Sequence, residues 1–253
     1  VYQAYGVILG IEPDVTEPLP TPLPETSPLR TKIYPYRGPE PRADDDPAKM
    51  MDTYDKILVE RAVMNAPGIR GTVIRLPIVY GPYDGQHRMF EFLKRMLDRR
   101  PAIILNEHYA HWRTSRGYAA NMGRAIADAV GNDRAAGEIF NSAEEPAWST
   151  LEWMHMIAGA VGWKGRVVLT GPDTTPNHLN VGMNAAQNLV ADSTKIRTML
   201  GYTEPVDRAQ AILRTAEWEA AHMPELPLER LAAMFDYEAE DRALAAIEKS
   251  VSQ

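Results

Sequence analysis

Asp52 and Lys56 stand four residues apart, with Tyr54 between them. On one helix that spacing sets a carboxylate and an ammonium on the same face, and it turns Tyr54 about 200° away from Lys56 at roughly 100° per residue. An unperturbed Asp titrates near about 3.9 and a neighbouring cation lowers it further, so Asp52 is a poor proton donor at neutral pH. Two readings stay open: an i, i+4 ion pair contributing about 0.2–0.5 kcal/mol, or the acid/base pair of a rearranged active site. Arg113 and Arg116 carry planar forks suited to bidentate contact with an oxyanion, although plain surface arginines have the same spacing. His108 and His111 have a spacing that fits a metal on a helix, but no third ligand is evident and no metal site is expected. Asp44, Asp45 and Asp46 before Pro47 read better as a helix N-cap than as a cation site. With 0 Cys, thiolate chemistry, a disulfide framework and a thiolate zinc site are excluded. No Gly-x-Ser-x-Gly elbow supports a serine hydrolase.

The elements that must position these side chains follow from periodicity and punctuation. Half of the 20 Pro fall between residues 11 and 48, which predicts a long ordered or semi-ordered loop that is neither helix nor central strand. One helix is predicted over 47–65, stopped by Ala66-Pro67-Gly68, and a buried strand running into a loop over 71–82. A helix over 86–99 places Met89, Phe92, Leu93, Met96 and Leu97 on one face. Strands follow at 102–105, 137–141 and 166–169, and helices at 118–130, 150–161 (capped by Ser149), 207–221 and 228–250. Alternating helix, strand and loop is the grammar of an α/β fold.

The chain has 253 residues, 45% apolar and 24% charged, which suits one large globular domain or two small ones and excludes collagen, coiled coil and disorder. Its 27 Lys+Arg against 34 Asp+Glu give a net charge of -7, so nucleic acid is not an expected partner. No apolar run approaches the length of a membrane span and no signal peptide is read, so no membrane partner is expected and the lack of Cys suits a cytoplasmic location.

Four stretches in order resemble the extended short-chain dehydrogenase/reductase family, the NAD(P)-dependent sugar epimerases and dehydratases. They are Val1-Tyr2-Gln3-Ala4-Tyr5-Gly6, Lys56-Ile57-Leu58-Val59-Glu60, Arg75-Leu76-Pro77-Ile78-Val79-Tyr80-Gly81-Pro82, and Asp192-Ser193-Thr194-Lys195 with Leu200-Gly201-Tyr202. The resemblance implies the later part of a Rossmann-type, doubly wound sheet with a mainly helical substrate-binding subdomain. The cofactor side would comprise 1–85 and 118–145, and the substrate side 86–117 and 146–253. It implies NAD or NADP as cofactor, and a small-molecule substrate of the nucleotide-sugar kind that gives up hydride to nicotinamide and takes it back. Lys56 would reach the nicotinamide ribose, and Pro77, Ile78 and Val79 the nicotinamide ring, unless 77–79 is an ordinary strand end. Tyr2, His87, Arg88, Arg113 and Arg116 would face the substrate, with an Arg on its diphosphate; a polar helix start is the alternative for His87 and Arg88. A homo-dimer is a further expectation.

Two departures qualify the resemblance. The family pairs a Tyr with a Lys four residues later, and here Asp52 holds the Tyr position. No Gly-rich turn of the kind that holds a pyrophosphate at a helix N-terminus is identified, and Gly6 to Gly10 does not meet the spacing. The expectation is therefore that about 110 residues of β-α-β units would precede Val1 in a longer or split protein. A non-catalytic member that binds a dinucleotide or a partner protein is the competing reading.

Overall fold

The computed structural model describes residues 1–251. In chain order it contains α1 (Gln3–Ile8), α2 (Lys56–Met64), β1 (Val73–Arg75), β2 (Ile78–Tyr80), α3 (Phe90–Leu97), β3 (Ala102–Asn106), α4 (Glu107–His111), β4 (Arg116–Tyr118), α5 (Ala119–Ala129), β5 (Ile139–Asn141), α6 (Thr150–Val161), β6 (Arg166–Thr170), α7 (Thr194–Leu200), α8 (Arg208–Ala221), α9 (Leu228–Met234) and α10 (Tyr237–Val251). The strands pair in parallel: β1 with β5, β2 with β4, β3 with β6. The expected α/β class is observed.

The main core gathers around β3. Ile103 and Leu105 point into a cluster with Met89, Leu93 and Met96, with Trp153, Met154 and Ile157 of α6, and with Ala211 and Ile212 of α8. Ala102 and Ile104, on the opposite face, meet Leu244 of α10. Both faces of β3 are therefore covered, which is why it reads as a continuous apolar run. A second cluster joins Met122 and Ala125 of α5 to Phe140 and to Ile196 and Leu200 of α7.

The proline-rich stretch is an ordered loop, as expected, and carboxylates order it. Glu12 accepts hydrogen bonds from the Thr31 amide (2.7 Å) and hydroxyl (2.8 Å). Asp55 accepts from the Tyr34 amide (2.6 Å) and from Arg30 Nη2 (3.1 Å), a pair whose side chains are almost fully buried.

The segment 47–65 corrects the single-helix expectation. A 3-10 turn, Lys49–Asp52, ends at Thr53, and α2 starts afresh with Asp55 as its N-cap, accepting from the Ile57 amide at 2.7 Å. The Asp52 carboxylate is engaged by the Arg42 amide (2.8 Å) and guanidinium, and Asp55 offers a side-chain acceptor that favours a cap over a helix interior. Asp52 and Lys56 therefore do not share a helix, and no ion pair joins them. Asp46 likewise forms a local turn, accepting from the Ala48 amide at 2.7 Å, rather than capping α2.

Three further boundaries move. Pro77, which has no amide donor, splits the expected 71–82 strand into β1 and β2 with different partners. The helix expected from residue 86 begins at Phe90, because His87 sits in the left-handed region at φ 49°. The 228–250 helix breaks at Phe235, whose ring packs edge-on against Phe90 at 5.3 Å. By contrast α6 matches its expected span, with Ser149 and Glu152 forming a reciprocal capping box and Gly162 (φ 67°) closing it. Gly159, Gly162 and Gly165 do have a Gly-x-x-Gly-x-x-Gly spacing, which the sequence reading overlooked. These glycines end a helix instead of opening one, and a Cβ at Gly165 would lie 2.2 Å from the Trp163 ring, so the spacing serves packing.

Candidate active site

The β2–β4 pair builds the centre of the site. Its register sets Ile78 opposite Arg116, so the residues expected at the nicotinamide and one expected at the substrate lie side by side. Arg116 rests over the Trp153 ring (4.8 Å) and donates to the Trp148 carbonyl at 3.2 Å. Burial lowers its pKa to about 10, which still leaves it charged near neutrality. Among the described residues no carboxylate lies within ion-pair distance of it, so Arg116 is a half-buried cation without a direct ion pair, with the Glu91 carboxylate acting on it only from further away. Arg113 differs. It is exposed, donates to the Ala147 carbonyl at 2.9 Å and pairs with Glu152 at 2.8 Å. The two arginines that the sequence left equivalent are thus separated by their partners.

The loop after β2 is tied back onto it. Arg88 Nη1 donates to the Val79 carbonyl (2.8 Å) and to Asp84 Oδ1 (2.5 Å), while the Asp84 carboxylate also accepts from the Gln86 and Arg88 amides. His87 Nδ1 lies 2.7 Å from Oε2 of the buried Glu219, and its ring stacks on Trp218 at 5.8 Å. Pro77, Ile78, Val79 and Arg116 therefore lie together with Arg88 tied to them, while the His87 ring on the same loop faces α8.

Tyr2, Lys56 and Asp52 do not join it. Tyr2 is buried with Leu23 and its hydroxyl donates to Asn141 Oδ1 at 2.6 Å, beneath Arg75, which Glu60 holds at 2.8 Å. Burial raises its phenol pKa, with Arg75 opposing. Lys56, the first residue of α2, is exposed and has no hydrogen bond or ion pair among the described residues. Asp52 is buried with Arg42, whose amide first, and guanidinium second, hold its carboxyl below the usual range. This removes the reading of Asp52 as an ion-pair partner of Lys56.

Sequence reasoning missed several polar residues here. Glu144 is buried and accepts from Tyr80 Oη (3.0 Å), the Tyr118 amide (3.0 Å) and Asn121 Nδ2 (2.6 Å), pinning β2 to the start of α5. Arg208 covers the Trp148 ring at 4.0 Å. Glu91, on the first turn of α3, is open to solvent yet ringed by protein; that crowding raises its carboxyl pKa, with Arg95 and Arg116 partly offsetting it. These partners are dozens of residues apart, and no local pattern reports them. His108 and His111 line a separate cavity of about 430 Å³ with Glu107 and Asn188. Among the described residues no group of three or more His, Cys, Asp or Glu is placed to hold a metal ion.

No protein-family model matches the chain. An uncharacterized protein, y4nL of Sinorhizobium fredii, is 25% identical over 189 residues, covering 64% of this chain and 52% of its own length. UDP-glucose 4-epimerase from Thermotoga maritima, solved with UDP-glucose, superposes with a TM-score of 0.57 at 20% identity over 87% of this chain and 62% of that one. UDP-glucuronic acid 4-epimerase from Bacillus cereus, in complex with NAD, gives 0.56 at 17% identity, covering 81% and 58%. The dTDP-glucose 4,6-dehydratase DesIV of Streptomyces venezuelae, with NAD bound, gives 0.54 at 21%, covering 81% and 56%. What they share with this chain is the fold. It is the Rossmann-type α/β architecture of NAD-dependent epimerases and dehydratases. The chain spans about half of its curated relative's length and up to 62% of these structures.

Proposed function

We propose that this chain forms the substrate side, and the nicotinamide edge, of an NAD(P)-dependent epimerase or dehydratase acting on a nucleotide sugar. The observation that carries the reading is Arg116: a guanidinium half-buried against Trp153, without a carboxylate partner, directly across the β2–β4 ladder from Ile78. A half-buried cation without a direct ion pair is stabilised by an anionic ligand that reaches it, and a diphosphate offers the oxygen pair that a guanidinium fork takes. The solved enzymes of this fold bind UDP-glucose or NAD.

The residues fit the nicotinamide end of a dinucleotide. Ile78 and Val79 keep half-buried apolar surface for a ring, and Lys56, although outside their immediate contacts, has a free ammonium for ribose hydroxyls. When bound, the nicotinamide would accept and return hydride. Arg88 holds the Val79 carbonyl, which fixes that strand end, and Arg116 would orient the substrate through its phosphates.

Calorimetric titration with UDP-glucose tests the reading. The wild type binds, and Arg116→Ala weakens binding by about 10-fold to 100-fold, the effect of losing charge-assisted hydrogen bonds of about 1.5–3 kcal/mol. Equal affinity in Arg116→Ala, or no heat from the wild type, overturns it. The competing non-catalytic reading draws on Asp52, which stands where the family Tyr was expected and is committed to Arg42; binding without turnover would favour it.

A further inference from the structure

Asp52 is committed to Arg42, whereas the loop that Arg88 ties to the Val79 carbonyl carries an oriented imidazole. We propose that His87, oriented by Glu219, is an acid/base residue that exchanges a proton with a substrate hydroxyl; this deepens the functional reading above and rests on it.

Glu219 is buried near the C-terminal end of α8, with Oε2 2.7 Å from His87 Nδ1 and Oε1 without any partner. A buried carboxylate with a single partner is costly, and what it does for the imidazole is specific. With Nδ1–H donated to the carboxylate, the lone pair of Nε2 points away from it. Trp218 lies nearly parallel to the imidazole (19°), and His222 stacks on Trp218 at 4.7 Å, so the ring plane is fixed as well.

The His87 side chain keeps 20% of its surface open, and Nε2 has no hydrogen-bond partner among the described residues. Its backbone is left-handed (φ 49°), as is Tyr83 (φ 68°), conformations uncommon for non-Gly residues that persist only where surrounding bonds impose them. Here those bonds are the Arg88 contact to the Val79 carbonyl and the Asp84 contacts to two amides. The charged and titratable groups around His87 are Glu219 and His222 from α8 and Asp84 and Arg88 from its own loop.

In the assigned step the hydroxyl O–H bond breaks and an N–H bond forms on Nε2. The electron pair stays on oxygen, and the imidazolium charge faces the Glu219 carboxylate. Glu219 is thus a positioning residue.

The test uses ¹⁵N-histidine-labelled protein and UDP-glucose. In the free protein the His87 ring should be the Nδ1–H tautomer, and Glu219→Gln should convert it to a mixture. UDP-glucose should shift the His87 ring signals without cofactor present. His87→Gly suits the left-handed backbone but leaves buried Glu219 unpartnered, so it should fold with a lowered melting temperature. It should lose UDP-glucose turnover by 100-fold or more while affinity stays within about threefold, and added imidazole should restore part of the rate. No UDP-glucose binding by the wild type overturns both this inference and the functional reading. Binding without turnover by the wild type likewise overturns both; binding that leaves the His87 ring unshifted, an Nε2–H tautomer, or full turnover by His87→Gly each overturns this inference alone.

Discussion

Residues 9–55 and the α3–α6–α8 region are held by opposite means. The helical region rests on apolar contact: Leu93, Met154, Ile157 and Ile212 are fully buried in one cluster. The loop has only a small apolar anchor, Leu19, Leu23 and Leu29 near Tyr2, and depends on Glu12, Asp52 and Asp55, each gathering backbone and side-chain donors. Burial of apolar surface is non-directional and pervades a core, whereas a carboxylate latch fails when one group is removed or protonated. Two kinds of damage should therefore separate the regions.

The largest effect is expected in the helical region. Ile157→Ala should lower global stability by about 3–4 kcal/mol, as for other large-to-small core changes, and lower the urea midpoint without changing where trypsin first cuts. A loss below about 1 kcal/mol would mean that α6 packs less tightly than its burial indicates.

Asp55→Ala comes next. It strands Arg30 in part and removes the α2 cap, an expected cost of about 2–3 kcal/mol, below the range for a fully stranded buried charge because Arg30 keeps its hydrogen bond to the Lys32 carbonyl. The damage should be local: faster hydrogen exchange over 30–60 and tryptic cleavage at Arg37, Arg42 or Lys49, with exchange in α6 unchanged. Equal acceleration in both regions would show that loop and core unfold as one unit.

Acid should distinguish the regions by sign. Burial pushes the Glu12 and Asp55 carboxyls up, but donors from Thr31, and from Tyr34, Ile57 and Arg30, outweigh it and hold both low. Their stabilisation is complete above the unfolded values of about 3.9–4.3 and is lost as pH falls through the lower folded values. Glu91 and Glu219 are raised, Glu91 by the crowding of surrounding protein and Glu219 by burial, so their contribution is complete below the unfolded value of about 4.3 and is lost as pH rises through the higher folded values. Between pH 5 and 3, pepsin should cut first within 9–55, while Glu91 and Glu219 do not loosen the helical region. Earlier cleavage in α3 or α8 would reverse the assignment.

The same contrast explains what was legible in the sequence. Apolar spacing located α3, α6 and α8, and Ser149 with Glu152 marked the start of α6 to the residue, because caps and periodicity are local. The loop's order was not legible, since Glu12 to Thr31 and Arg30 to Asp55 are side-chain bonds without any period. Within the site, the strand end and Arg116 could be nominated from the chain, but the partner that fixes His87 lies 132 residues away on α8. The 47–65 error has the same origin: helix propensity is weak beside two Asp residues whose tertiary partners, Arg42 and Arg30, pull the chain out of helical geometry.

The smallest stability effect should be at Lys56, on the border between the regions. Its ammonium has no internal partner, so Lys56→Ala removes no contact and should change stability by less than about 0.5 kcal/mol, with Ala serving as well at the first turn of α2. If Lys56 serves a cofactor ribose, the same variant should nevertheless weaken NAD binding by about 10-fold, one charge-assisted hydrogen bond, in calorimetry. Asp52→Asn should do the reverse, leaving NAD affinity within about twofold while loosening the Arg42 turn, because its carboxylate faces Arg42 and not Lys56. Asp52→Tyr would not install a Tyr four residues before Lys on a shared helix, since residue 52 ends a separate 3-10 turn. Lys56→Ala that destabilises the fold, or Asp52→Asn that abolishes NAD binding, would show that the two residues act together in solution despite their separation here.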